Sequence, residues 1–191
     1  MANLNAPNGL TPVRHLKGGV VRYDGGYTIT SALASDIFLG DAVILLGNGK
    51  DIDVAAATDL VLGVFAGCRY TAANGDVVWS KQWVSGTVTK GSADAEAFVY
   101  TDPAIVYAIQ ATTIAEGDVG LAADIIAGAG NAATGVSGFT LNGGAYGATG
   151  QFLTLGLASA PGGIYPAEYG AYARVEVITN ESNFDSPKPT A

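Results

Sequence analysis

The chain contains one histidine, His15, and one cysteine, Cys68, and a nucleophilic active site would most readily use these side chains. A Ser-His-Asp or Cys-His arrangement needs a firmly positioned imidazole. His15 instead lies beside Arg14 in a segment rich in proline and glycine. Cys68 lies in an apolar run, where cysteine usually serves as a small core residue. We therefore expect His15 to be a contact or solvated residue, Cys68 to be inert, and the protein to have no catalytic residue.

Three further patterns could bind an ion, a nucleotide or a sugar. Asp51 and Asp53 place two carboxylates on one face of a predicted strand, without the ligand spacing of a calcium loop. The glycine-rich stretch 128–135 has Ala133 where a dinucleotide loop needs its third glycine, and a strand pattern follows it instead of a helix. We expect no metal and no cofactor. Two acids that meet in the fold could still form a glycoside hydrolase site, so a hydrolytic or carbohydrate-binding β-protein stays open as an alternative.

Aromatic side chains form a candidate site of another kind. Several fall in or beside predicted loops, and exposed tryptophan and tyrosine are enriched in protein interfaces. They could equally cover the ends of a barrel. The residues predicted to form an oligomer or partner interface are Trp79, Trp83, Tyr165, Tyr169 and Tyr172.

Charge is distributed unevenly along the 191 residues. The chain has 9 Lys and Arg against 17 Asp and Glu, a net charge of −8, and no Lys or Arg lies between Lys90 and Arg174. Phosphate backbones repel such an acidic body, so we expect no nucleic-acid partner. No apolar run approaches the ~20 residues of a membrane-spanning helix, so we expect no membrane partner. The N-terminal residues lack the charged and apolar regions of a secretory signal, which predicts that the protein stays in the producing cell until release.

The elements that must position these residues are strands. Residues 38–70 predict a β-meander: a strand at 42–46, a two-residue turn at Asn48-Gly49 with positive φ at both positions, and an alternating strand around Ile52. An apolar strand at 60–66 should lie in the middle of the sheet, and 77–79 should return from a second turn at 74–75. The predicted fold is all-β, a small antiparallel barrel or sandwich, with a jelly-roll-like arrangement among the options.

The remaining segments are predicted from the same patterns. Strands are expected at 20–23, 27–30, 96–100, 105–110, 151–157 and 173–177, a helical turn at 31–36, a polar loop at 82–91, and a long surface loop or hairpin at 127–150. Residues 1–19 are predicted to form an extended N-terminal arm, 20–179 the β-rich body, and 180–191 a C-terminal tail. Residues 117–122 echo 40–45, and 155–157 echo 62–64, which suggests two related β-units at about 38–82 and 96–179.

Five segments together carry a family resemblance. They are Asn8-Gly-Leu-Thr-Pro-Val-Arg-His-Leu, Gly63-Val-Phe-Ala-Gly-Cys-Arg-Tyr, Asp102-Pro-Ala-Ile-Val-Tyr-Ala-Ile-Gln-Ala, Asp118-Val-Gly-Leu-Ala-Ala-Asp and Tyr172-Ala-Arg-Val-Glu-Val-Ile-Thr-Asn-Glu. Over about residues 8–184 the chain resembles structural proteins of tailed bacteriophages that decorate or cement the capsid. The pattern Gly40-Asp-Ala-Val followed by Leu62-Gly-Val also looks like the small β-tulip or SH3-like barrels that capsid-decorating proteins use.

The resemblance implies a role without a catalytic signature. It implies a virion protein on the outer surface of the phage head, made in the host bacterial cytoplasm, whose partners are the major capsid protein and further copies of itself in a dimer or trimer. The arm residues expected to contact the capsid are Leu10, Pro12, Val13, Arg14, His15 and Leu16. Another virion component, such as a minor head or tail fibre protein, is the main alternative, because it would also be β-rich and acidic.

Overall fold

The computed structural model describes residues 3–158 and 168–184, whose strands all pair antiparallel in their ladders. The strands are β1 (Thr11–His15), β2 (Asp24–Ile29), β3 (Ile37–Phe38), β4 (Ala42–Leu45), β5 (Ile52–Val54), β6 (Gly63–Thr71), β7 (Val77–Ser80), β8 (Gln82–Trp83), β9 (Ala95–Tyr100), β10 (Ile105–Gln110), β11 (Ala122–Ala123), β12 (Ile125–Ile126), β13 (Thr140–Leu141), β14 (Phe152–Leu157) and β15 (Arg174–Thr179). Two short 3₁₀ turns lie at Lys90–Ser92 and Glu116–Asp118. The predicted all-β, antiparallel, sandwich-like fold is confirmed.

Two larger sheets build the fold. In the N-terminal sheet the strand order is β2-β9-β6-β4-β5, and β7 pairs with the C-terminal half of β6. In the C-terminal sheet the order is β1-β10-β15-β14-β11. Two short ladders, β3 with β8 and β12 with β13, complete the described pairing.

Strands β4 and β6 contribute to two cores at once. Ala42 and Val64 belong to a core shared with the C-terminal sheet, whereas the next residues, Val43 and Phe65, belong to a second core formed by the N-terminal strands. Because side chains alternate along a strand, each strand must be apolar on both faces to do this. That requirement explains the uninterrupted apolar run that ends at Cys68. The strand order of the sheet, with β6 between β9 and β4, confirms the predicted central position of this strand.

The predicted meander forms, with one correction to its first turn. β4 and β5 pair as a hairpin, and β7 returns along β6 after the turn at residues 74–75. Gly49 has a φ of 71°, but Asn48 is not in a positive-φ conformation. The connection is longer than two residues, and the Asn48 side-chain oxygen accepts the backbone N–H groups of Lys50 and Asp51. The asparagine therefore stabilises this turn through its side chain.

Four other local predictions need correction. β2 is a single strand, because Gly25 and Gly26 form a bulge inside it, and residues 20–23 form no strand. Residues 31–36 form no helical turn, and the predicted polar loop at 82–91 begins with the short strand β8. The stretch 127–150 is predicted as a surface loop or hairpin; the antiparallel pairing of β12 with β13 makes its first part hairpin-like, and it is not wholly at the surface because Phe139 enters the core. The strands predicted at 96–100, 105–110, 151–157 and 173–177 are confirmed, with ends shifted by two residues at most.

The two sheets share one topology. Strands β2-β9-β6-β4 and β10-β15-β14-β11 each follow the order first, fourth, third, second along the chain. The bulge in β6 and the bulge in β14 also fall at the same place, each at a glycine of positive φ, Gly67 at 134° and Gly156 at 149°. The chain therefore contains two β-units of the same strand order.

Equivalent backbone hydrogen bonds within the two units show which of their residues correspond. Gly40 donates its N–H to the carbonyl of Phe65, and Gly120 donates its N–H to the carbonyl of Thr154. Both glycines have positive φ, 92° and 87°. The structure thus matches Gly40 with Gly120, three residues beyond Gly117, with which the sequence echo aligns it.

The segment before β1 lies on the body. β1 pairs with β10 at the edge of the C-terminal sheet, and Leu10 is only 1% exposed. The Gln110 side chain bonds to the N–H of Ala6 and to the side chain of Asn5, at 2.7 and 2.8 Å. Much of the segment that the sequence predicts as an arm is therefore an integral part of the fold.

Asp41 is a buried carboxylate beneath this segment. It is 2% exposed, and one carboxylate oxygen accepts the N–H of Phe38 at 2.7 Å. The other oxygen has no hydrogen-bond partner among the described residues. Burial raises the pKa of Asp41 to about 6, against the opposing effect of the nearby Ser137 side chain and of the Phe38 N–H. Folding therefore favours the protonated form of this carboxyl.

We expect this carboxyl to make stability depend on pH between about 4 and 6. Since its pKa is higher in the folded than in the unfolded state, its contribution is fully present below pH 4 and is lost as the pH rises through 6, a loss of about 3 kcal/mol. Urea unfolding at a series of pH values should show this slope, and Asp41→Asn should flatten it. Asp76→Asn, a change at an exposed aspartate, is the control. An unchanged slope in Asp41→Asn would contradict the assignment.

Candidate binding surfaces

A set of aromatic side chains lies on one side of the N-terminal sheet. Along β9, Ala95, Ala97 and Val99 are buried on one side, while Glu96, Phe98 and Tyr100 lie on the other and are half-buried. Tyr100 also packs against the core shared with the C-terminal sheet. The neighbouring strands and the residue before β2 supply the other members. We call this surface the aromatic face, and its residues are Tyr23, Arg69, Trp79, Glu96, Phe98 and Tyr100.

Trp79 is the most exposed ring of the aromatic face, at 64%. It stacks on Phe98 with 5.4 Å between ring centroids and 6° between planes. Gly67 is paired with Phe98 across the ladder and has no side chain to separate the two rings. The Arg69 guanidinium lies 5.4 Å from the Trp79 centroid, and its Nη2 contacts the Glu96 carboxylate at 2.7 Å. The face therefore combines stacked rings with a locally balanced ion pair.

Tyr23 extends the row of rings. Its ring lies 5.2 Å from that of Phe98 at a 57° tilt, and 6.2 Å from that of Tyr100 at 77°. Tyr23 is 52% exposed. Burial, followed by the neighbouring Tyr23, raises the pKa of Tyr100, so this hydroxyl keeps its proton at neutral pH. The rings thus stand at different angles and do not form a flat platform.

The aromatic residues predicted to form an interface do not share one surface. Trp79 is on the aromatic face, but Trp83 is fully buried, with its ring edge-on to Tyr70 at 5.7 Å. The expectation that Trp83 lies at a surface is therefore wrong, because β8 pairs with β3 over the core. Tyr169 and Tyr172 are 43% and 41% exposed and line shallow depressions of about 450 and 320 Å³ at another surface. Tyr165 lies outside the described residues.

Four members of the aromatic face were not predicted from the sequence: Tyr23, Arg69, Phe98 and Tyr100. The signal that could have found them is the alternation along β9, in which small or β-branched residues alternate with large ones. It does not by itself say which neighbouring strands bring Trp79 and Tyr23 to the same side.

Exposed apolar side chains of the N-terminal segment form the second candidate surface. Val13 and Leu16 are 45% and 47% exposed, and Leu4 and Val20 are 81% and 83% exposed. Val13 projects because the ladder between β1 and β10 is irregular between Pro12 and Arg14. These four side chains are the exposed N-terminal apolar residues, and two of them were predicted as capsid contacts.

The other predicted contacts are engaged within the chain. Leu10 is buried in the core shared by the sheets, and Pro12 is half-buried. Arg14 forms an ion pair of 2.6 Å with Glu176. These placements leave Val13 and Leu16 as the predicted contacts with the most freely available apolar surface.

His15 connects β1 to the turn before β10. Its Nε2 lies 3.0 Å from the Asp102 carboxylate, and its Nδ1 accepts the backbone N–H groups of Lys17 and Gly19 at 3.1 and 3.0 Å. A hydrogen bond from the Ala104 N–H, followed by the bond to His15, lowers the pKa of Asp102. The arrangement holds the end of β1 in place.

The remaining candidate groups, Cys68, Asp51 and Asp53, are buried or hydrogen-bonded within the fold. Cys68 is buried, as predicted, and burial raises the pKa of its thiol to about 12. Asp51 accepts hydrogen bonds from the Thr28 hydroxyl and the Asn48 amide, and Asp53 accepts the Val54 N–H. No cluster of three or more His, Cys, Asp or Glu within residues 3–158 and 168–184 could hold a metal ion.

A search for membrane-spanning helices and three comparisons with known proteins complete this description. In the part of the chain that the structure describes, no helix has the length and apolar character needed to cross a membrane. No family model, curated protein or solved structure matches the sequence or fold.

Proposed function

We propose that this protein decorates the head of a tailed bacteriophage, binding the outside of the shell and joining neighbouring major capsid protein subunits. The observation that supports this best is the set of exposed N-terminal apolar residues, of which Val13 lies in β1 and Leu16 directly follows it. The sequence resemblance to capsid-decorating proteins points the same way. A chain that works by adhesion needs such a fixed apolar contact.

The contact is expected to be mainly apolar. Arg14 is already paired with Glu176, and the chain as a whole is acidic, with a net charge of −8. Burying the exposed half of Val13 and of Leu16 should contribute about 1 kcal/mol each. Such a contact is weak in one copy, but several copies held together on a shell bind with a much higher effective affinity.

Replacing both Val13 and Leu16 with serine should weaken binding to heads about thirtyfold, the equivalent of about 2 kcal/mol. The measurement is co-sedimentation of purified protein with heads that lack their own copies of it. These substitutions are a sharper test than deleting residues 1–17, because that deletion would remove β1 and the buried Leu10.

The matched control is the double variant Leu60→Ser and Val88→Ser. These residues are 52% and 70% exposed and lie outside the N-terminal segment. The control variant should bind heads as the unchanged protein does. Equal loss in both variants, or loss in neither, would contradict the proposed contact.

The alternative of a minor head or tail fibre protein predicts a different location in the particle. Antibody labelling of intact virions separates the two. Label spread regularly over the head supports decoration, whereas label confined to the tail or to one vertex supports the alternative.

A further inference from the structure

The equivalent faces of the two β-units differ in which part of the chain contacts them. In the C-terminal sheet, the chain's own N-terminal segment contacts the outward side chains. The Asn8 side chain accepts a hydrogen bond from Arg174 at 2.9 Å, and Arg14 pairs with Glu176. By the matched registers of β9 and β15, Arg174 and Glu176 correspond to Glu96 and Phe98 of the aromatic face. On the aromatic face, by contrast, Trp79 and Tyr23 stay 64% and 52% exposed.

The geometry of the rings favours a protein occupant over a sugar. Trp79 and Phe98 are parallel within 6°, but Tyr23 is tilted by 57° to Phe98 and by 77° to Tyr100, so the four rings together do not present the coplanar surface on which a pyranose chain would stack. Rings at mixed angles can interdigitate with the side chains of another protein. Tryptophan, tyrosine and arginine are also the residues that most often dominate protein interfaces.

Charge favours a second copy of this chain as that protein. Two bodies of net charge −8 repel each other, and they can approach most readily where charge is locally balanced. The aromatic face carries one cation and one anion side by side, Arg69 and Glu96. A two-fold interface requires such self-complementarity, because each residue must meet its counterpart from the other copy.

We propose that two copies pack their aromatic faces together about a two-fold axis, with Tyr23 and Trp79 interdigitating and each Arg69 close to Glu96 of the partner subunit. The exposed parts of the two rings amount to on the order of 250 Å² per copy, the apolar centre of an interface that typically buries about 800 Å² per partner. This inference does not rest on binding to a capsid.

The two tryptophans make a direct test available. Trp79 is exposed and Trp83 is fully buried, so in the monomer iodide should quench only the emission of Trp79. As the protein concentration rises, sedimentation velocity should show a dimer, and the quenchable fraction should fall in parallel. A protein that stays monomeric at all concentrations, forms a trimer, or dimerises with Trp79 still quenchable would overturn the proposal.

The substitution Trp79→Thr should weaken dimerisation at least tenfold, because it removes the most exposed ring and keeps a residue suited to a strand. Phe184→Thr removes another exposed ring, 55% exposed, away from the aromatic face and should leave dimerisation unchanged. Circular dichroism of both variants verifies that they are folded. An unchanged dimer in Trp79→Thr would overturn the proposal.

A charge exchange tests the two-fold pairing itself. The double variant Arg69→Glu and Glu96→Arg keeps an ion pair within each copy, so it should form its own dimer. In a mixture with the unchanged protein, like charges would meet across the interface. Mixed dimers should then be at least tenfold below the statistical fraction in native mass spectrometry, and a statistical fraction would overturn the proposed contact.

Discussion

Replacing Gln151 with methionine should lower the free energy of unfolding by roughly 3 kcal/mol, because it removes three hydrogen bonds that this buried side chain makes to backbone groups. Gln151 is fully buried, and its side-chain oxygen accepts the Ile125 N–H at 3.0 Å. Its amide nitrogen donates to the carbonyls of Ala56 and Asp59, both at 2.8 Å. One side chain therefore ties the loop after β5 in the first unit to β12 in the second. Chemical denaturation measured by circular dichroism gives the change directly.

The matched control is Gln82→Met. Gln82 is half-buried, and its amide makes one hydrogen bond, to the carbonyl of Ala132 at 3.0 Å. We expect this variant to lose about 1 kcal/mol, a third or less of the effect at Gln151. If the two variants were equally stable, Gln151 would not be the connection between the units that its contacts indicate.

Gly63→Ala should destabilise the protein by roughly 3 kcal/mol, because the added methyl group has no room. A Cβ at Gly63 would lie 2.2 Å from the carbonyl oxygen of Tyr100 on the neighbouring strand β9. Gly63 does not have positive φ, so the effect would be steric rather than conformational. The two central strands of the N-terminal sheet would have to separate. Thermal and chemical unfolding should both show the loss.

Gly47→Ala provides the comparison for this substitution. Gly47 has ordinary φ, and nothing lies within 4 Å of the position that its Cβ would occupy. Its replacement should leave stability unchanged or raise it slightly, because alanine restricts the unfolded chain more than glycine does. Similar losses in both variants would mean that Gly63 is not tightly packed.

Local patterns in the sequence predict the strands well wherever apolar and turn residues alternate clearly. Within residues 42–68, the turn residues around Asn48 predict the hairpin. The apolar run that ends at Cys68 predicts the central strand, because burial on two faces demands apolar residues without interruption. The sequence pattern is misleading at Gly25 and Gly26, where glycine forms a bulge inside β2 instead of ending a strand. It also does not show that Trp83 is buried, since that depends on the distant partner strand β3.

The candidate surfaces depend on pairings that no local pattern specifies. Trp79, Phe98 and Tyr23 are far apart in sequence and meet only because β7, β6, β9 and β2 are neighbours. The N-terminal segment likewise looks unstructured by composition, yet Leu10 is a core residue because β1 adds to the C-terminal sheet. Gln151 gives no signal at all, since a glutamine is usually exposed.

The proposal that this protein adheres to the outside of a phage head is tested most directly by cryo-electron microscopy of the intact virion. We expect density that fits the two-sheet body, repeated regularly over the shell, with the exposed N-terminal apolar residues facing the capsid subunits. Heads that lack this density, or density for this fold only in the tail, would contradict it.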